Sequence, residues 1–181
     1  MLQISKLISQ GAGLAPVLVK RAFTLELDWD VRQKSRFDAT DSLGRTLGVF
    51  LPRGTLVRGG DMLVAEDGSM VVVTATHHPV MVVTACAEHG SPFDLLRAAY
   101  HLGNRHVQLE LKPDHLKLEP DHVLADMLRQ MHLIVTDANA AFEPEGGAYA
   151  AGGHAPAAAA KPHVHGPDCD HGHDHKHDHK H

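Results

Sequence analysis

The apolar residues between Val80 and Thr136 change period repeatedly, and the order in which they do so leaves few folds open. Val80 to Cys86 (VMVVTAC) is an apolar run of strand length. Ser91 to His106 (SPFDLLRAAYHLGNRH) then reads as a helix. Ser91 suits the N-cap, Pro92 the first helical position, and Asp94 a first turn whose free N–H groups favour a carboxylate. Phe93, Leu96 and Tyr100 share a face, and Gly103 is placed to stop the helix. Val107 to Leu111 alternates as a strand, and His115 to Leu118 does so again after a turn over Lys112 to Asp114. A second helix, PDHVLADMLRQMH, carries an apolar stripe of Val123, Leu124, Met127, Leu128 and Met131, and Leu133 to Thr136 is the last strand. Strand, helix, strand, strand, helix, strand is the split βαβ order of a ferredoxin-like domain, with both helices on one face of a four-stranded antiparallel sheet. The other face needs a cover, from the rest of the chain or from a second subunit.

Upstream the pattern differs. TLELDWDVRQKSRF alternates at Leu25, Leu27 and Trp29 as a half-buried strand would. The segment from Asp41 to Ala75 then alternates short apolar runs with turns at Ser42–Gly44, Pro52–Gly54, Gly59–Asp61 and Asp67–Gly68, the last a hairpin signal between LVAE and SMVVVTA. From about Ala138 the periodicity is lost in a Gly-, Ala- and Pro-rich stretch that cannot bury much surface and reads as linker. The expected architecture is a two-domain α+β chain: a small all-β domain over residues 1–76, a ferredoxin-like βαββαβ domain over 77–137, and a linker with a disordered His-rich tail over 138–181.

Composition narrows the function. Lys plus Arg is 17 against 22 Asp plus Glu, a formal charge of -5 with neutral histidines, which argues against a nucleic-acid partner. The N-terminus MLQISKLISQGAGLAP is too polar for a signal h-region, and there is no apolar run of membrane length, so no membrane partner is expected, and the mature protein is expected to be the whole chain. Two cysteines, Cys86 and Cys169, make no disulfide framework; together these features point to the cytoplasm. There is no Walker-type phosphate loop, no nucleophile elbow and no His-Glu-x-x-His constellation, so an enzyme is not expected.

Histidine is the anomaly: there are 17, nine of them from His154 onward. The closing stretch HGHDHKHDHKH places His171, His173, His175, His177, His179 and His181 at alternate positions, with aspartates between them as oxygen ligands. Imidazole suits nickel, copper, zinc and iron alike, so ligand chemistry does not select among them. Such a tail captures metal without fixing one geometry. The bland alternatives are a purification tag, which would more simply be an uninterrupted histidine run, or a solubilising end. Cys169, flanked by acids, adds a thiolate when a metal offsets their charge. Cys86 at the end of an apolar strand reads as a buried small hydrophobe. Upstream, the candidate ligands are His106, His101, His115 and His122, each of which alone is also an ordinary helix-end or surface histidine. His77 and His78 fall in the expected interdomain loop, where neighbouring side chains diverge.

The run LLRAAYHLGNRH at 95–106, the helix DHVLADML at 121–128 and the N-terminal RQKSRFDATDSLGRTLGVFLPRGTLVRGGDMLVAEDG resemble the UreE urease accessory protein family, nickel metallochaperones, over about residues 5–137. The tail is similar to the His-rich ends of some members. The resemblance implies an N-terminal domain for protein contacts and a homodimer formed through the ferredoxin-like domain. It also implies a nickel ion held between subunits by the histidine of Gly-Asn-Arg-His, here His106, and its two-fold mate. Symmetry doubles a ligand count that one histidine leaves poor. His101 matches a position close to that site. His122 matches the second histidine of a peripheral His-x-His pair whose first position here is Pro120, so such a site would need His115, Asp121 or the tail instead. The resemblance implies delivery of nickel to the apo-urease activation complex, including its GTPase, by ligand exchange. The rival reading is a general nickel or zinc storage or buffering protein with no urease partner.

Overall fold

The structure, a computed structural model, describes residues 1–146. The first 75 residues contribute six strands: β1 (Leu2–Ile8), β2 (Phe23–Leu27), β3 (Arg36–Thr40), β4 (Thr46–Phe50), β5 (Met62–Ala65) and β6 (Met70–Ala75). Two short helices, α1 (Pro16–Arg21) and α2 (Trp29–Arg32), interrupt them. The strands form one sheet in the order β2-β6-β5-β1-β4-β3, with β1/β4 and β2/β6 parallel and the other pairs antiparallel. Most apolar strand positions face inward, Phe50 at the end of β4 being an exception, and Ile4, Leu25, Leu47, Val49, Leu63 and Val71 are fully buried. The four turns read from the sequence each carry a glycine with positive φ, including Gly68 at φ 82 in the β5–β6 hairpin, a conformation that disfavours any side chain.

Trp29 departs from the alternation that places it in a strand. Asp28 ends β2 by accepting a hydrogen bond from the Val31 N–H at 2.7 Å, and the capped turn α2 follows. The cap turns the chain and aims Trp29 and Arg32 away from the β-domain core.

The remaining elements are β7 (His78–Ala85), α3 (Pro92–Gly103), β8 (Glu110–Leu111), β9 (Leu116–Leu118), α4 (His122–Gln130) and β10 (Leu133–Ala140). The sheet order β10-β7-β9-β8 is antiparallel throughout, which makes it the ferredoxin-like arrangement expected. Ala98 and Leu102 of α3 and Leu128 of α4 pack on Val83 and Leu118 of the sheet, all fully buried. The opposite face of β7 and β10 is covered from within the chain: Val80 packs with Trp29 and Phe142, flanked by Leu56, Val82, Ala138 and Ala140.

Four boundaries differ from the sequence reading, one being the strand read at Val107–Leu111, of which only Glu110–Leu111 pairs as β8. Strand β10 does not stop at Thr136 but pairs with β7 along its whole length, from Leu133↔Ala85 to Ala140↔His78. Its second half, with Asp137 and Asn139, has little strand propensity of its own, and the ladder to β7 supplies the order. His78 is therefore the first residue of a strand rather than part of a loop. Residues 141–145, read as linker, pack on the folded body, with Phe142 fully buried.

Candidate metal centre

His106 sits at the end of α3, and the local sequence explains how. The helix runs through Gly103, which does not adopt a positive φ, and is closed instead by His106 at φ 58. The His106 N–H donates to the Gly103 carbonyl at 2.9 Å and the Val107 N–H to the Leu102 carbonyl at 3.1 Å. This is the pattern of a Schellman stop, with Leu102 and Val107 supplying the apolar contact that accompanies it. Glycine is the residue that such a position favours, so His106 adopts it against a conformational preference. Its side chain is exposed.

The rest of α3 shows why the site faces outward. The core-facing residues are Leu95, Ala98 and Leu102, whereas Phe93, Leu96 and Tyr100 share a face that lies 61%, 63% and 69% exposed. Together with Ala99 and His101 they line an open apolar concavity. His101 is half-buried, stacked edge-on against Tyr100 at 5.4 Å, and its carbonyl accepts from the Arg105 guanidinium at 3.1 Å.

The other candidates are dispersed. His115 Nδ1 donates to Asp114 Oδ1 at 2.8 Å, which fixes the ring and leaves Nε2 free. The same hydrogen bond holds the Asp114 carboxyl below its ordinary range. His122 is exposed in the first turn of α4, and neighbouring Asp121 caps that helix, accepting from Val123 and Leu124 at 2.8 and 2.9 Å. His77 is exposed, while His78 stacks edge-on against Phe142 at 5.8 Å with both ring nitrogens buried and without partners. Among the described residues no three His, Cys, Asp or Glu side chains come together as an ion would require. Cys169 and the tail histidines His171, His173, His175, His177, His179 and His181 lie outside the described residues.

Cys86 is half-buried rather than buried, directly after β7. Its Sγ lies 3.9 Å from His89 Nδ1, and that contact, with the backbone N–H groups of His89 and Glu88, draws the thiol from 9.0 down to about 7. The thiol is therefore more readily ionised than a free cysteine. The alkylation rate of Cys86 by iodoacetamide should show a midpoint near that value, and His89→Ala should move the midpoint upward.

A strap completes the geometry. Arg32, fully buried, donates through Nη1 to Glu143 Oε1 at 2.6 Å and through Nη2 to the Phe142 carbonyl at 2.7 Å. Burial pushes the guanidinium down from its usual value and Glu143 opposes the shift. Glu143 also accepts from the Gly59 N–H at 2.8 Å and from Arg58 at 3.3 Å. On the ferredoxin-like side, Glu110 accepts from the Glu143 N–H at 2.8 Å, Lys117 donates to the Ala141 carbonyl at 2.7 Å, and the Glu145 N–H donates to the Leu109 carbonyl at 2.7 Å. The sequence gives no hint of this strap, because its partners are up to 111 positions away.

Comparison with known proteins places the chain. The family model for the UreE urease accessory protein N-terminal domain matches residues 4–76, and that for its C-terminal domain matches residues 78–181. The urease accessory protein UreE of Polaromonas naphthalenivorans is 77% identical over 182 residues, covering 94% of this chain and 88% of its own length. That of Polaromonas sp. strain JS666 is 70% identical, covering 96% and 90%, and that of Albidiferax ferrireducens is 72% identical, covering 96% and 100%. Two domain models that between them span nearly the whole sequence, and relatives at this identity over nearly their full lengths, establish that the chain belongs to the UreE urease accessory protein family, a family of urease maturation factors and not of enzymes.

Proposed function

We propose that the chain is a cytoplasmic nickel metallochaperone. It captures Ni(II) and passes it to the apo-urease activation complex and its GTPase. The observation that carries this reading is the position of His106: exposed, held in a left-handed conformation at the end of α3, on the helix whose apolar face Phe93, Leu96 and Tyr100 is uncovered. A second copy of the chain docked on that face brings two His106 side chains to one two-fold axis, where they share an ion. His101, on the same surface, lies beside that ion. The residual coordination comes from water or from histidines of the segment beyond His154. The ion is cargo, and exchangeable imidazole ligands suit its release better than a closed thiolate site does.

His115, with its ring fixed by Asp114, and His122 act as peripheral ligands, while Cys169 and the alternate histidines from His171 to His181 act as a reservoir. Zn(II) and Cu(II) compete for the same imidazoles. Imidazole binds a metal ion only in its neutral form, so acid competes with the ion at all of these sites.

Leu96→Glu tests the arrangement. A carboxylate placed in the centre of the apolar face should leave the fold intact, since Leu96 is exposed, and convert the dimer to a monomer by sedimentation equilibrium. The interface nickel should be lost with it while tail binding persists. A folded Leu96→Glu dimer with its nickel unchanged would refute the interface.

A further inference from the structure

We infer that Gln108 is a positioning residue for His106: its side-chain amide ties the loop that carries the candidate nickel ligand to Trp29 and Gln33 of the N-terminal domain. The inference rests on the reading above, in which His106 holds the ion.

A histidine at φ 58 stays in the left-handed region only where its surroundings fix the chain on both sides. Upstream, α3 does this, through the N–H groups of His106 and Val107 on the carbonyls of Gly103 and Leu102. Downstream, residues 107–109 belong to no helix or strand, so the loop depends on its side chains. Val107 and Leu109 turn into the ferredoxin-like core, a contact that is apolar and therefore non-directional. Gln108, between them, supplies direction: its Oε1 accepts from Trp29 Nε1 at 2.7 Å, and its Nε2 donates to Gln33 Oε1 at 2.9 Å. The indole nitrogen can only donate, which fixes the orientation of the amide and leaves its NH2 to face Gln33.

The anchor on the other side is itself held in place. Trp29 opens α2 and Gln33 is its C-cap, one turn later, so both side chains reach the same amide. The Gln33 N–H donates to the Trp29 carbonyl at 3.1 Å. Trp29 is 3% exposed, stands edge-on to Phe142 at 5.9 Å, and has the guanidinium carbons of Arg32 and Arg58 at 5.2 and 5.4 Å from its ring centre. A buried indole N–H without an acceptor bears the full cost of desolvation, so the bond to Gln108 is strongly preferred from this side too. Residues 29, 33, 106 and 108 all lie in one compact body, and the tie is internal to it. An anchor two residues from His106 narrows the positions open to the imidazole. A ligand already in place binds an ion more tightly than one that is ordered on binding, and in a shared site the gain is made by both subunits.

The test uses the full-length protein and substitutions away from the ligand itself. Gln108→Leu removes the amide with little change in volume, Trp29→Phe removes the indole N–H and keeps an aromatic ring, and a double variant removes both. Val73→Ala, in the β-domain core, is a control that destabilises without touching the tie. Ni(II) is titrated against a chelating dye at no more than one ion per two chains, with thermal unfolding of the same samples and His106→Ala beside them. The expected result is affinity weakened about three- to tenfold by Gln108→Leu and by Trp29→Phe, no further by the double variant, and unchanged by Val73→Ala. Trp29 is the chain's one tryptophan and gives a second readout. With Zn(II), whose d shell is filled, its emission should shift on binding in the unsubstituted protein and in neither Gln108→Leu nor His106→Ala. Affinity that falls with stability in Val73→Ala as well, or losses that simply add in the double variant, would assign Gln108 a structural role. Unchanged affinity in Gln108→Leu, or an emission shift that persists there, would remove it from metal handling and leave the His106 site standing. A tightest site indifferent to His106→Ala would overturn the reading beneath the inference, and the inference with it.

Discussion

Replacing His106 with glycine is expected to give a more stable protein that has lost its tightest nickel site. A non-glycine residue in the left-handed region carries roughly 1–2 kcal/mol of strain, and His106 sits there at φ 58. Glycine removes that strain at the expense of about 0.4–1 kcal/mol of added freedom in the unfolded chain. A net gain of roughly 1 kcal/mol raises the melting temperature by about 2–4 °C. His106→Ala keeps the strain and gains nothing. Both lose an imidazole from each half of the shared site, and their affinity for the interface ion should fall by more than about 100-fold, the upper range for loss of an outer-shell partner alone. Thermal unfolding of the metal-free proteins and nickel titration of the same samples separate the two effects. Stability and affinity falling together would mean that His106 is a structural cap.

The second large effect falls far from any metal. Glu143→Ala leaves the fully buried Arg32 charge without its carboxylate, and removing one partner of a buried pair costs about 3–5 kcal/mol. Glu143 is itself 28% exposed, so water offsets part of the loss and the lower end of that range applies. Chemical denaturation should show the midpoint falling with an unchanged slope. Replacing both residues, as Arg32→Met with Glu143→Leu, removes the charge and its partner together and should be less harmful than Glu143→Ala alone. A double variant worse than the single one would show that the strap is held by shape and not by charge.

The sequence discloses the parts of this molecule that depend on neighbours along the chain. The Asp67–Gly68 hairpin, the capping of α3 by Ser91 and Asp94, and the βαββαβ order are local signals, and each is present: the Ser91 N–H donates to Asp94 at 2.7 Å, and the sheet order is β10-β7-β9-β8. Features settled by distant partners are hidden. The stripe Phe93, Leu96, Tyr100 is visible as apolar, but periodicity does not say what covers it, and within one chain nothing described here does. Gly103 looks like the helix stop, yet Leu102 and Val107 are both drawn into the core and shift the stop to His106. Val123 belongs to the apolar stripe of α4 by spacing but lies 61% exposed, while Ala125, outside that stripe, is buried. The strap at 141–145 has the composition of a linker, and its order comes from distant partners, Arg32 and Arg58 in the other domain and Leu109, Glu110 and Lys117 in its own.

The same structure decides how the protein should be cut. A chain ending after Asp137 would lose the last three residues of β10 together with Phe142 and Glu143, whereas one ending at Gly146 keeps every residue of the three buried apolar clusters.

Nickel titration by calorimetry of the chain ending at Gly146, beside the full-length protein, tests the central claim most directly. The predicted result is one tight ion per two chains that survives removal of the tail and disappears in His106→Ala, with weaker sites present only at full length. Binding that vanishes entirely with the tail, and is indifferent to His106→Ala at full length, would contradict the interface site and make the tail the working part of a buffering protein.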